Sequence, residues 1–154
     1  MLEGMHMRRR AGYSLIELTI VLTLIGLMAA ITFVRVAPTL ERTRVRGAAN
    51  VVAGDLQYAQ ALAARDRIPI VFSVNTSTKV LQLRNRSGTT IYRERQFGSG
   101  GTYDLSEFAA VPASMELYPN GVASQSTTFT VGVGNNRRRV TMTVAGQIRV
   151  TVVN

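Results

Sequence analysis

From Leu18 to Val34 the chain runs through seventeen residues without a charge, and the apolar stretch extends back to Tyr13 with one interruption, Glu17. Counted from Tyr13 the run is 22 residues, about 33 Å of α-helix, enough to cross a bilayer core of about 30 Å. Beyond it the pattern becomes one-sided. Val45, Ala48, Val52, Leu56, Ala59 and Ala63 recur at steps of three or four, while Arg42, Arg44, Arg46, Asp55 and Arg65 fall mostly off that stripe. This predicts an amphipathic helix over 45–65, packed against a sheet. Pro38 stands between the two patterns and predicts a kink over 34–38, because proline removes one helical hydrogen bond and clashes with the preceding turn. The small residues Gly47, Ala48, Ala49, Gly54 and Ala59 permit close approach of a sheet or a second helix.

After Pro69 the period changes from 3.6 to 2. Strands are predicted at 70–74, 80–83, 91–95, 115–118, 128–133, 139–144 and 148–153. Turns are predicted at 75–78, 86–88, 120–121 and 134–136, where Asn, Ser and Gly cluster. Gly98–Gly101 reads as a flexible connector, followed by a variable loop to about Ala113. The expected fold is α+β: a long N-terminal helix, transmembrane in its first half, packed on a C-terminal antiparallel β-sheet domain. That domain buries too little by itself, so the helical stripe is expected to complete its core.

The flanks of the apolar run decide how it is read. Arg8-Arg9-Arg10 precede it and Ala11-Gly12 follow the arginines, which keeps the N-terminus cytoplasmic by the positive-inside rule. A secretory signal peptide needs a small-x-small site after the run, and residues 35–40 do not offer one. A plain signal anchor accounts for the length and the arginines but leaves Glu17, costly in hydrocarbon unless paired, without a role.

Arg-Arg-Arg-Ala-Gly12 followed by Tyr13-Ser-Leu-Ile-Glu17-Leu resembles the class III signal of type IV prepilins and of the pseudopilins of type II secretion. The resemblance implies cleavage after Gly12 by a prepilin peptidase, methylation of the new amine of Tyr13, and an assembly role for the Glu17 carboxylate. Phenylalanine is the usual residue at the position of Tyr13. The implied organisation is a cleaved leader over 1–12, a transmembrane and assembly helix over 13–36, its amphipathic continuation over 37–66 and a β-rich domain over 67–154. The implied location is the bacterial inner membrane, crossed once, with the C-terminal domain periplasmic.

Composition narrows the remaining chemistry. Cysteine is absent, and the only histidine, His6, lies in the leader. Asp66, Asp104, Glu107 and Glu116 show no metal or acid–base spacing, and no phosphate-binding or nucleophile motif occurs. No enzyme, metal or cofactor is expected. The net charge is +9, from 18 Lys+Arg against 9 Asp+Glu, a balance that suits anionic partners.

A second resemblance covers the end of the chain. The helix ending near Arg65, the Ile-Val-Phe-Ser-Val strand, Leu117-Tyr-Pro-Asn-Gly121 and Val144-Ala-Gly-Gln-Ile-Arg149-Val together look like the H-class (GspH/FimT-like) minor pseudopilins and minor pilins. Gln147 stands where that pattern carries an arginine after the glycine. The implied function is a minor pseudopilin that assembles into or caps a short periplasmic filament with other pilin-like subunits and takes part in protein secretion. The alternative is a FimT-like minor pilin acting in pilus biogenesis or DNA uptake. For the latter, Arg137, Arg138, Arg139 and Arg149 are the candidate anion or DNA contacts, three of them consecutive and placed to meet successive phosphates. The same run would also serve as a solvated hairpin that blunts an edge strand.

Overall fold

The computed structural model describes residues 13–153, apart from the side chains of 32–37. One helix, α1 (Leu15–Asp66), contains Pro38 and is followed by eight strands. The chain divides at Pro38 into two compact units, the second spanning Thr39–Asn154.

In the first unit the helix is apolar around its whole circumference. Leu15, Ile16, Leu18, Ile20, Val21, Leu22, Leu24, Ile25, Leu27, Met28 and Ile31 are all exposed. A helix apolar on every side needs non-aqueous surroundings or neighbouring helices. Among the described residues, however, no helix is long and apolar enough to cross a membrane.

The second unit forms around the predicted stripe. Val45, Ala48, Val52, Leu56, Ala59 and Ala63 are buried, joined by Ala49 and Leu62. The strands are β1 (Ile70–Asn75), β2 (Val80–Asn85), β3 (Ile91–Gln96), β4 (Glu107–Val111), β5 (Ser114–Leu117), β6 (Thr127–Val133), β7 (Asn136–Met142) and β8 (Ile148–Val153). They make two antiparallel sheets, ordered β3-β2-β1-β5 and β4-β6-β7-β8. The sheets meet at Phe72 and Phe129, whose rings pack edge to face with centroids 5.2 Å apart. Alanine on the helix allows this two-sheet core to close directly on the backbone.

The expected variable loop is partly wrong. Residues 107–111 form β4, the edge of the second sheet. The connector before it is anchored: Phe97 and Leu105 are buried, Leu105 N–H donates to the Phe97 carbonyl at 2.8 Å, and Tyr103 stacks on Phe97. The predicted turn at 120–121 and the turn between β7 and β8 are both tied to the helix by Gln60, whose Nε2 donates to the carbonyls of Gly121 at 3.4 Å and Gly146 at 2.9 Å. Gly146 has φ +81°, and a Cβ there would collide with the Gly121 carbonyl, so only glycine fits.

Candidate functional site

Gly12 lies outside the described residues. Tyr13 is 84% exposed, and Glu17 stands exposed in the first turn of α1. A carboxylate there complements the positive end of the helix dipole. With a free amine at Tyr13 after cleavage, the amine and the Glu17 carboxylate would lie four residues apart on one subunit.

The arginine run occupies β7, and this corrects the expectation of three successive phosphate contacts. Side chains alternate across a strand. Val140 and Met142 are buried, so Arg138 shares their helix-facing side while Arg137 and Arg139 face outward. Arg137 is also engaged. Glu107, Gly132 and Arg137 lie in one row across β4, β6 and β7, and Arg137 Nε donates to Glu107 Oε2. Gly132 makes this possible, because a Cβ there would sit 3.2 Å from Arg137 Cγ and 3.3 Å from Glu107 Oε2.

Arg149 lies on β8, opposite Thr141, and Arg139 is opposite Thr130 on one side and Thr151 on the other. Residues directly opposite share a face, so Arg139 and Arg149 sit together on an outward surface otherwise made largely of threonine. Among the described residues neither makes an ion pair, and neither does Arg138.

A further charged centre was not foreseen. Asp55, placed mostly off the apolar stripe by sequence, is 1% exposed. It stands seven residues from both Ala48 and Leu62, about 20° from each around the helix. Its Oδ1 accepts from Arg93 Nη1 and its Oδ2 from Arg95 Nε, both at 2.6 Å. These arginines sit opposite Leu83 and Leu81, on the inward face of the edge strand β3. Arg93 also lies 4.0 Å over the Tyr58 ring, a cation–π contact. The signal was Arg-x-Arg at strand spacing opposite Leu-x-Leu: two inward cations demand a carboxylate.

Two surface pairs complete the electrostatics. Hydrogen bonding from Arg86 holds the Glu116 carboxyl below its usual range, as Arg65 does for Asp66. Each is a solvated pair of small energetic weight.

Residues 7–33 match the prokaryotic N-terminal methylation motif, and residues 48–147 match the family described as Type II transport protein GspH. The chain belongs to the GspH family. Its members are structural pilin subunits, and the N-terminal motif implies processing by a prepilin peptidase and assembly with other pilins. The fold is similar to that of the type IV minor pilin FimU of Pseudomonas aeruginosa PAO1. In one crystal form of FimU the identity is 22% and the TM-score 0.58, covering 71% of this chain and 90% of that one. In another the identity is 22% and the TM-score 0.55, with 69% and 91% covered. No curated protein gives a significant sequence match. This GspH-family chain is therefore a minor pilin or pseudopilin, with a long helix packed on antiparallel sheets.

Proposed function

We propose that this subunit is a minor pseudopilin of a type II secretion system, held in the inner membrane by residues 13–36 with its β-rich domain in the periplasm. The supporting observation is a methylation motif over 7–33 followed in the same chain by a GspH-family region over 48–147. The motif supplies the means of insertion and assembly, and the region supplies the secretion-type domain. Cleavage after Gly12 frees the amine of Tyr13, and Glu17 meets the corresponding amine of a neighbouring subunit. Mass spectrometry of the membrane-extracted protein is expected to give an N-terminus at Tyr13 carrying one methyl group. Deleting the gene is expected to abolish export of secreted enzymes while surface pili persist. A mature chain starting beyond the apolar run overturns the anchor, and loss of pili with intact secretion overturns the secretion assignment.

The outward Arg139–Arg149 surface favours a second reading, a minor pilin that contacts DNA. On it, Arg139→Ala with Arg149→Ala flattens the log–log salt dependence of duplex binding by about 1.8, at about 0.9 per phosphate contact. Arg138→Ala, on the other face, leaves that slope unchanged. No duplex binding by the wild type at about 50 mM salt removes this reading.

A further inference from the structure

Each of the two sheets ends in two edge strands, and an open edge is a template for a further strand. Three of the four edges are covered, charged or cut short. On β5, the Glu116 N–H donates to Ser124 Oγ at 3.0 Å, the Ser124 N–H to the Glu116 carbonyl at 2.8 Å, and Gln125 Nε2 to the Ser114 carbonyl at 2.8 Å. β3 turns Arg93 and Arg95 inward and carries a register shift against β2, two devices that deter further pairing. β4 is five residues long and is followed by Pro112.

β8 has none of these. Its pairing with β7 is unbroken over Ile148–Val153, it contains neither lysine nor proline, and five of its six residues are β-branched, a composition that suits a pleated pairing surface. The hairpin before it sets which backbone groups are spare. The Thr143 N–H donates to the Gln147 carbonyl at 2.9 Å, and hydrogen-bonded pairs alternate along an antiparallel ladder. Arg149, Thr151 and Val153 therefore bond to β7, whereas the N–H and C=O groups of Ile148, Val150 and Val152 point to the open side. Among the described residues no hydrogen bond reaches them. The side chains of the same three residues lie opposite Met142, Val140 and Arg138, on the buried side of the sheet. Ile148 and Val150 are only half-buried and Val152 is 61% exposed, so the open edge runs beside an incompletely covered apolar row.

Charge selects the occupant. A second copy would pair most symmetrically about Val150, which makes the two Arg149 side chains diagonal neighbours on one face. That is a repulsive arrangement in a chain of net charge +9. A strand with a carboxylate opposite Arg149 and apolar residues on either side of it answers both rows.

We infer that the outer edge of β8 accepts an extended segment of another protein as a fifth strand, with its apolar residues beside Ile148 and Val150 and its carboxylates beside Arg149. Main-chain hydrogen bonds supply affinity in such an addition, and the alternation of side chains supplies specificity. The inference requires neither the secretion reading nor the DNA reading of the subunit.

The full-length chain in neutral detergent can be titrated with a fluorescent peptide of about ten residues in which valine alternates with glutamate, and with its counterpart carrying lysine for glutamate. Saturable binding of the glutamate peptide alone is expected. In amide exchange followed by NMR, the peptide should slow Ile148, Val150 and Val152 and leave Arg149 and Thr151, already bonded to β7, unchanged. Val150→Pro and Val152→Pro each remove an outward N–H without touching the ladder to β7. Each is expected to weaken binding about five- to tenfold, roughly the worth of one main-chain hydrogen bond, with little change in the unfolding midpoint. Arg149→Glu, at an exposed position, is expected to exchange the preference and bind the lysine peptide, which keeps the site testable if a proline variant unfolds. Binding without the alternating protection, or no binding by the wild type, overturns the strand addition. Equal binding of the two peptides overturns the charge selection. Protection of the same three amides in the chain alone, rising with its concentration, would make a second copy the occupant and overturn the acidic segment.

Discussion

Asp55→Ala is expected to be the most destabilising single charge deletion in the sheet domain, costing about 2–3 kcal/mol, because the two arginines it leaves behind are partly solvated. The carboxylate is 1% exposed and accepts one hydrogen bond on each oxygen, from Arg93 and from Arg95. Its removal strands two guanidiniums on the inward face of β3, an edge strand held otherwise by β2 alone. A loss of that size lowers the unfolding midpoint by roughly 10–20 °C. β3 should be the first element to gain hydrogen exchange, since the clasp is its tie to the helix. The cost belongs to the uncompensated charge and not to the intact cluster. Asp55→Leu combined with Arg93→Leu and Arg95→Leu is therefore expected to recover most of the lost stability. Thermal and urea unfolding of the wild type, Asp55→Leu, Arg93→Leu with Arg95→Leu, and the triple variant form the necessary cycle. A single variant within about 1 kcal/mol of wild type would mean that water reaches the cluster and screens it, and would remove the clasp from the account of stability.

The cluster also shows where sequence reading succeeds and where it stops. The stripe from Val45 to Ala63 was legible because burial imposes the helical period on small and apolar residues. Asp55 was not, since polar residues are read as outward unless their partners are known, and those partners lie 38 and 40 positions away. β4 escaped notice for a different reason. Ala109-Ala110 carries little intrinsic strand preference, and Pro112 follows one residue later, after Val111; pairing with β6 makes residues 107–111 a strand. The consecutive arginines were seen as a cluster, whereas the two-residue period of β7 separates them into two faces. Gly132 gives no hint in sequence that it is the gap through which Arg137 reaches Glu107. The N-terminal motif, in contrast, is local and specific, so Tyr13 and Glu17 could be proposed without any fold.

Glu17→Ala is expected to leave cleavage after Gly12 and methylation of Tyr13 intact while lowering incorporation into filaments by about 100-fold. An unpaired charge in the apolar interior costs about 2.5–3.5 kcal/mol on insertion scales, and a carboxylate that meets the neighbour's amine removes most of that penalty for both partners. Without it the amine enters the helix bundle uncompensated, and about 3 kcal/mol corresponds to about two decades in the assembly equilibrium. The surrounding surface offers no substitute. From Leu15 to Ile31 the exposed side chains are otherwise mostly aliphatic, giving adhesion with little preference for axial register. Glu17→Asp keeps the charge on a shorter arm, so it is expected to assemble partially, and Glu17→Gln, polar but uncharged, nearly as poorly as Ala. Fractionation of sheared filaments, with membrane-retained subunit as the internal reference, measures the ratio directly. Wild-type incorporation of Glu17→Ala would show that this subunit joins the filament through its sheet domain alone.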